Sequence, residues 1–579
     1  MQTDTRIEFS FVDVTARADS TPASVDAQPW CDVKADLCRE NIPQHPKYGT
    51  LEPRQCLMDG SFALFPNAPK GNFWGLWSRQ QSDADGRFAT PPVLDIRFAD
   101  PHTSAGITLH FEQLTDDFCT DVQVEWYAGE NLIRRARFAP DAADFICRCK
   151  VENYTHLCIT FCKTNKPYRY LKFTGIDYGE KCIFEGGDII EANILEEIDP
   201  LSDSISINTL GFTLCDRAGR FDMLNPDSAF DALQDRQTLK VYEDVRQNGQ
   251  VHTVSMGTFY LSTWKNPSHA VAEFQAVDAV GLLDTESFDG GMYNTTAGKL
   301  AAEILAGYRY ELAAEYSEQP ICGWLSVCSK RDALQQLAFA LGAVVDTSRT
   351  DCIQIYPLPQ RPSKLIGADR KFDGDSSVSL QPLVTGAAIT AHRYVQAEEV
   401  SELYKATLDT GTHRIEFSAP ATEFTAEGGE ILQSNCNYAI VKVTKAGEVR
   451  ITGRKYDDAK SVAFCHADGL LPYAKKNEVS VQDATLVDTA RAAQIAQHIL
   501  AIKSNRMEQS CSMVLGDEIP SDMVIVENGK ERVRGIIYNA DIDLAGGFIA
   551  KLKIIGTRLH TTADAYTGSE IHTGERSLM

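Results

Sequence analysis

The residues that could do chemistry gather first in the run FTLCDRAGRFDMLNP, residues 212–226. Asp216, Arg217, Arg220 and Asp222 crowd there around Gly219 and Asn225. Such a run suits a cation loop, a catalytic cluster or a turn between strands. An EF-hand calcium loop needs D-x-[DN]-x-[DN]-G and a distal Glu, and this run does not fit. The stretch DADG at 83–86 comes nearer, with Asp83 and Asp85 as ligands, but it matches a plain β-turn as well. A second concentration is CRCKVENYTHLCITFC, with Cys147, Cys149, Cys158 and Cys162 around His156. It lacks the paired C-x2-C knuckles of zinc modules. Alternation instead sets Cys147 and Cys149, then Cys158, Thr160 and Cys162, on one face of successive strands. A third is the pair Trp74 and Trp77 in NFWGLWSRQQSDADGRF. Aromatics near a sandwich edge either stack on sugar faces or pack.

No hydrolase elbow, zincin helix, phosphate loop or dinucleotide fingerprint is present. The twelve histidines are scattered singly. Carboxylates are too numerous in an acidic chain to nominate a glycosidase pair. The expectation is a protein with no catalytic residues, no metal and no cofactor.

The elements that must position these residues belong to a chain of 579 residues, enough for about three to five domains. The apolar fraction of 43% and charged fraction of 23% are ordinary for globular domains. Acidic residues outnumber basic ones 80 to 56, giving a net charge of −24. Such a surface repels phosphate backbones, which argues against wrapping DNA. The N-terminal MQTDTRIEFSFVD has no signal-peptide pattern, and no apolar run is long enough to span a membrane. The 16 cysteines therefore read as reduced, mostly buried thiols.

The reading is mainly β and multidomain, of α+β class. Residues 1–60 hold a strand and an extended segment. Residues 61–185 form an antiparallel β-sandwich, from VLDIRFA, GITLHFEQL, DVQVEWYAG, LCITFCK and YRYLKFTGIDYG. Residues 186–290 form a first β-barrel domain, with VAEFQAVDAVGLL read as one of its strands. Residues 291–375 are a small α/β unit. Its helices are TAGKLAAEILAGY, with Thr296 as cap, and SKRDALQQLAFALGAVV, with Ser329 as cap and Gly342 at the end. Residues 376–476 are β-rich. Residues 477–579 carry one helix, with Ala492, Ile495, Ala496, Ile499 and Leu500 on one face, and closing barrel strands. Turns are expected there at Asn528-Gly529 and Gly546-Gly547.

The series GFTLCDRAGRFDMLNPDSAF, LQDRQTLKVYEDV, GTFYLSTWKN and VAEFQAVDAVGLL resembles the first domain of phage tail hub proteins, the baseplate hub and tail-associated proteins. The matching positions are Asp216, Arg217, Gly219, Arg220, Phe221, Leu224, Asn225 and Pro226, then Gly257, Phe259 and Leu261. GWLSVCSKRDALQQLAFALGAVVDTSRTDCIQIYPLP and the final strand series are similar to later parts of the same family, so the resemblance covers about residues 186–560. Residues 61–185 resemble a discoidin-like or jelly-roll module.

The resemblance implies a non-enzymatic virion component at the tail tip or baseplate, synthesised in the host bacterial cytoplasm. It implies a homotrimer with two barrel domains per chain, joining the tail tube to the tip. Distal tail, tail tube, tape measure and receptor-binding or tip proteins are the implied partners. DNA would be present only in transit, and a host-surface glycan is a possible ligand. Asp216, Arg217, Gly219, Arg220, Phe221 and Asn225 become candidates for an assembly loop, and Trp74 and Trp77 for glycan contact. Two other readings stay open: a glycan-binding protein or carbohydrate-active enzyme using the sandwich, and the hub of a tail-like bacteriocin or injection machine.

Overall fold

The computed structural model describes residues 2–24, 52–53, 75–112, 115–217, 219–225, 233–247, 250–471, 473–529 and 531–559. The chain is mainly β, in several sheets and more than one domain. The largest sheet has 13 strands. From one end, its order is Lys371–Leu380, Met507–Val514, Ile549–Leu559, Glu531–Asp543, Ile189–Glu197, Thr209–Cys215, Val271–Val277, Gln250–Ser268, Thr238–Gln247, Gln2–Val12 and Gly179–Glu185. Lys364–Ile366 and Met523–Asn528 branch from Glu531–Asp543.

Alternation builds this sheet. Leu210, Phe212 and Leu214 point inward from one strand, and Ile7, Phe9 and Phe11 from another, into one shared core. The strands expected as two separate barrels meet at a seam, where Asn193–Glu197 pairs antiparallel with Asn539–Asp543. The opening strand is part of this sheet, paired with Thr238–Gln247. Gly179–Glu185, placed by sequence at the end of the sandwich, pairs with the opening strand instead. Its Cys182 and Phe184 join the same core, and that burial decides its side.

Both expected glycine turns are present. Asn528 pairs with Glu531 around Gly529 at φ +67°, and Gly547 sits at φ +103° between the paired residues Asp543 and Ile549. One expected strand is too long. VAEFQAVDAVGLL is strand only to Val277, because the Asp278 carboxylate accepts the Gly281 N–H and starts the helix Ala279–Thr285.

The N-terminal module is a seven-stranded antiparallel sheet bent around a single core. Its order is Leu76–Trp77, Lys172–Asp177, Val93–Phe111, Asp144–Thr164, Cys119–Ala128 and Asn131–Phe138, with Thr21–Ala23 added to Val93–Phe111. The cysteine-rich run is one strand, not two. Asn153 at φ +56° lies between Val151 and Tyr154, both buried, and breaks the alternation. Cys147 and Cys149 therefore face the core, while Cys158, Thr160 and Cys162 alternate with the buried Leu157, Ile159 and Phe161 and face the other way. Every cysteine among the described residues is free.

The α/β unit packs helices Ala297–Ile304 and Lys330–Leu341 into a second core. Ser329 Oγ accepts the Asp332 N–H at 3.0 Å, and Gly342 ends that helix at φ +65°. Thr296 occupies the cap position of the first helix without a side-chain capping bond. This core also takes in Ala387, Ile389 and Ala391 and the helix Ala492–Lys503. The last helix thus serves the α/β unit rather than the closing barrel strands. The remaining β-rich segment has its own small core around Val441, Val449 and Ile451.

Candidate assembly site

The turn after Thr209–Cys215 is built outward from Asp216. Its N–H donates to the Ala270 carbonyl at 2.7 Å, which fixes where the strand ends. Its carboxylate, nearly buried, accepts the N–H of Arg220 at 2.8 Å and of Phe221 at 2.7 Å, one on each oxygen. A short acidic side chain that satisfies its own loop in this way stabilises a turn. The carboxylate is thereby committed to backbone amides rather than turned out to a cation. Gly219, at φ +63°, donates its N–H to the Asp216 carbonyl at 3.0 Å. Asn225 Nδ2 returns to the Gly219 carbonyl at 3.0 Å, and Asp222 Oδ2 lies 2.6 Å from His269 Nδ1.

The turn drives Phe221 into the core, against Phe274 at 5.3 Å, Phe11 at 5.4 Å and Phe184 at 6.2 Å between ring centroids. Arg220 lies over the Phe11 ring, and its Nη2 is 3.0 Å from Glu180 Oε2. Arg217 is exposed. Beyond it the tip presents Met223 and Leu224, the latter 80% exposed. A Cβ on Gly219 would meet nothing closer than 3.7 Å, so only its backbone angle resists substitution. Gly219→Val is accordingly expected to cost about 1–3 kcal/mol, seen as a lower melting temperature.

The other sequence candidates separate. Trp74 and Pro226 lie outside the described residues. Trp77 is not available to a sugar: its ring is 1% exposed, beneath the Lys172 ammonium at 5.2 Å. This corrects the glycan-contact expectation at that position. The large indole belongs to the module's inner layer, where apolar burial outweighs display. Asp83 Oδ1 accepts the N–H of Asp85 at 2.9 Å and of Arg87 at 2.8 Å, with Gly86 at φ +78°, so DADG forms a tight turn. His156 Nε2 lies 2.6 Å from Asp95 Oδ2, and the ring stacks on Tyr127. Among the described residues no group of three or more His, Cys, Asp or Glu is placed to hold a metal.

Sequence reasoning missed a set of ion pairs in and beside the joint between the N-terminal module and the large sheet. Glu180 takes Arg220 from one side and Arg148 from the other, the latter at 2.8 Å. Asp177 pairs with Arg17 and Lys181 and lies 3.0 Å from His110 Nε2, whose Nδ1 is 2.7 Å from Asp144. His102 sits between Asp13 at 2.7 Å and Asp19 at 2.9 Å. Burial opposes charge on His110, but the bonds to Asp144 and Asp177 outweigh it and hold the imidazole up to about 9. Its stabilisation is thus full below pH 6.5 and lost as pH rises through about 9. No local motif announces these contacts, because their members lie up to 160 residues apart.

A second cluster sits where the sheet meets the α/β unit. Burial raises Glu196 to about 7, against the pull of Arg349, whose Nε is 3.4 Å from it. Burial likewise raises Asp278 to about 6, against bonds from Thr347 and backbone amides. Both pKa values lie above their unfolded values, so the folded state binds the extra protons. This contribution falls as pH rises from about 4 through about 7. Unfolding free energy should therefore decline over that window. Glu196→Gln should flatten the upper part of the decline in a chemical-denaturation series.

No family model matches the chain, and no curated protein matches it. Among solved structures it is similar to the 43 kDa tail protein of prophage MuSo2 from Shewanella oneidensis, at 10% identity and TM-score 0.38, over 65% of this chain and 94% of that one. It is similar to the prophage tail protein gp18 from Listeria monocytogenes EGD-e, at 10% and 0.37, over 66% and 92%. It is also similar to the tail protein from Neisseria meningitidis MC58, at 11% and 0.38, over 66% and 94%.

Proposed function

We propose that the chain is a structural subunit of a phage tail tip or baseplate hub. It joins the tail tube to the host-contacting tip as a homotrimer around the DNA exit path, and meets tube, tape measure and tip proteins there. The observation that carries this reading is the DRAGRF turn. It stands first in the hub-like motif series along residues 186–560, and its polar groups are spent on folding: Asp216 on backbone amides, Arg220 on Glu180, Phe221 on the core. What it leaves for contact are the exposed apolar Met223 and Leu224 and the exposed Arg217. An acidic chain suits a passage through which DNA moves without being held.

Light scattering or mass photometry on purified protein at micromolar concentration tests the oligomer. A trimer is expected. Leu224→Lys, at a position already in solvent, should leave the melting temperature unchanged and lower the trimer fraction. A trimer indifferent to Leu224→Lys and to Arg217→Glu would remove this loop from the assembly surface.

A further inference from the structure

The main run of the large sheet ends at two strands, each with one neighbour among the described residues; its branch ends at a third, three-residue edge, Lys364–Ile366, paired with Met523–Asn528. Lys371–Leu380 pairs only with Met507–Val514, and Gly179–Glu185 only with Gln2–Val12. In Lys371–Leu380 every residue from Gly374 to Leu380 is exposed, so both faces and the outer edge meet solvent. Val378 is 52% exposed and Leu380 65%. That stretch, GDSSVSL, contains no proline, lysine or arginine; its single charge, Asp375, is bonded inward by Ser512. A bulge between Lys371 and Ser376 interrupts the edge, but Ser376–Leu380 pairs regularly and carries no proline or charge of the kind that blunts open edges, so that stretch is a template for another strand. At the opposite end Ile183 stands 58% exposed. The neighbouring module covers the first residues of that strand, where Thr108 Oγ1 donates to the Gly179 carbonyl at 2.8 Å and Arg148 pairs with Glu180 at 2.8 Å.

We infer that Lys371–Leu380 of one copy is joined, edge to edge, by Gly179–Glu185 of a second copy of this chain. The inference rests on the trimeric hub reading and specifies its contact. A row of unpaired backbone N–H and C=O groups calls for an extended polypeptide, and neither a lipid surface nor a glycan supplies alternating donors and acceptors at strand spacing. The two open ends belong to one sheet in one chain, so pairing them is heterologous and repeats from copy to copy until it closes. Val378 and Ile183, both β-branched and both in solvent in the single chain, then become cross-strand neighbours.

The test uses the full chain in three forms. Val378→Lys with Leu380→Lys, at exposed positions, should keep the wild-type melting temperature while the trimer fraction falls about tenfold or more. Val378→Cys with Ile183→Cys should form an intermolecular disulfide on mild oxidation, and neither single variant should. Amide exchange at residues 376–380 of the wild type should slow with oligomerisation. A trimer that tolerates both lysines, with fast exchange at 376–380, overturns this contact and leaves the hub assignment standing. Crosslinking by Val378→Cys alone overturns the mate, because the strand would then pair with itself. A chain that stays monomeric with fast exchange there also overturns the contact, while the hub assignment is decided separately by the chain's place in a particle.

Discussion

Phe221→Ala is expected to lower stability by about 3–5 kcal/mol, the range for emptying a buried aromatic site. The ring is 4% exposed and touches Phe11, Phe184 and Phe274, which come from three strands of the large sheet. The turn around it is rigid, because Asp216 holds the Phe221 N–H, so the site cannot collapse by letting the chain sink inward. Arg220→Ala removes a partly exposed cation from the buried Glu180, which keeps Arg148, and should cost less, about 1–3 kcal/mol. Thermal unfolding of both variants checks the order. Equal losses would mean that the turn is held by its charges rather than by the plug it delivers.

Lys172→Ala should be of similar size, about 3–5 kcal/mol, for a different reason. Lys172 is fully buried, its Nζ 2.8 Å from Glu52 and 2.6 Å from Asp117, both buried as well. Removing the ammonium leaves two carboxylates in the module interior with reduced compensation. Burial alone would raise Asp117, but Lys172 holds it low through charge and hydrogen bond, aided by Thr115 and Arg169. A depressed carboxylate stabilises above its unfolded pKa and loses that contribution as pH falls. The deficit of the variant should therefore be largest at neutral pH and shrink toward pH 4, where Asp117 of the variant takes up a proton. Urea unfolding at both pH values reads this out. A deficit independent of pH would point to lost packing over Trp77 instead.

The turn was legible in sequence because its parts are adjacent: a glycine for the left-handed angle, an acidic residue to cap amides, and an aromatic to bury. The alternating strands and the two helices of the α/β unit were legible for the same reason, since period and caps are local. The seam and the opening strand's partner were not. Gln2–Val12 finds its partner in Thr238–Gln247, and nothing in either stretch specifies the other. The cysteine faces were misread because one residue at positive φ, Asn153, shifts the alternation, and strict periodicity cannot foresee a bulge. Trp77 looked displayable from its neighbours, but it is buried, with Lys172 from nearly a hundred residues later over its ring. The ion pairs at His102, His110 and Glu180 escaped because they assemble single residues from distant strands.

The proposed function places this chain in a threefold hub at a tail tip. Imaging of intact particles by electron cryo-microscopy, with the chain fitted into the averaged tip, tests it most directly. Three copies are expected around the tail axis, between the tube and the tip, with the large sheet facing the central passage. Density for the chain at another site, or in any symmetry other than threefold, would contradict it.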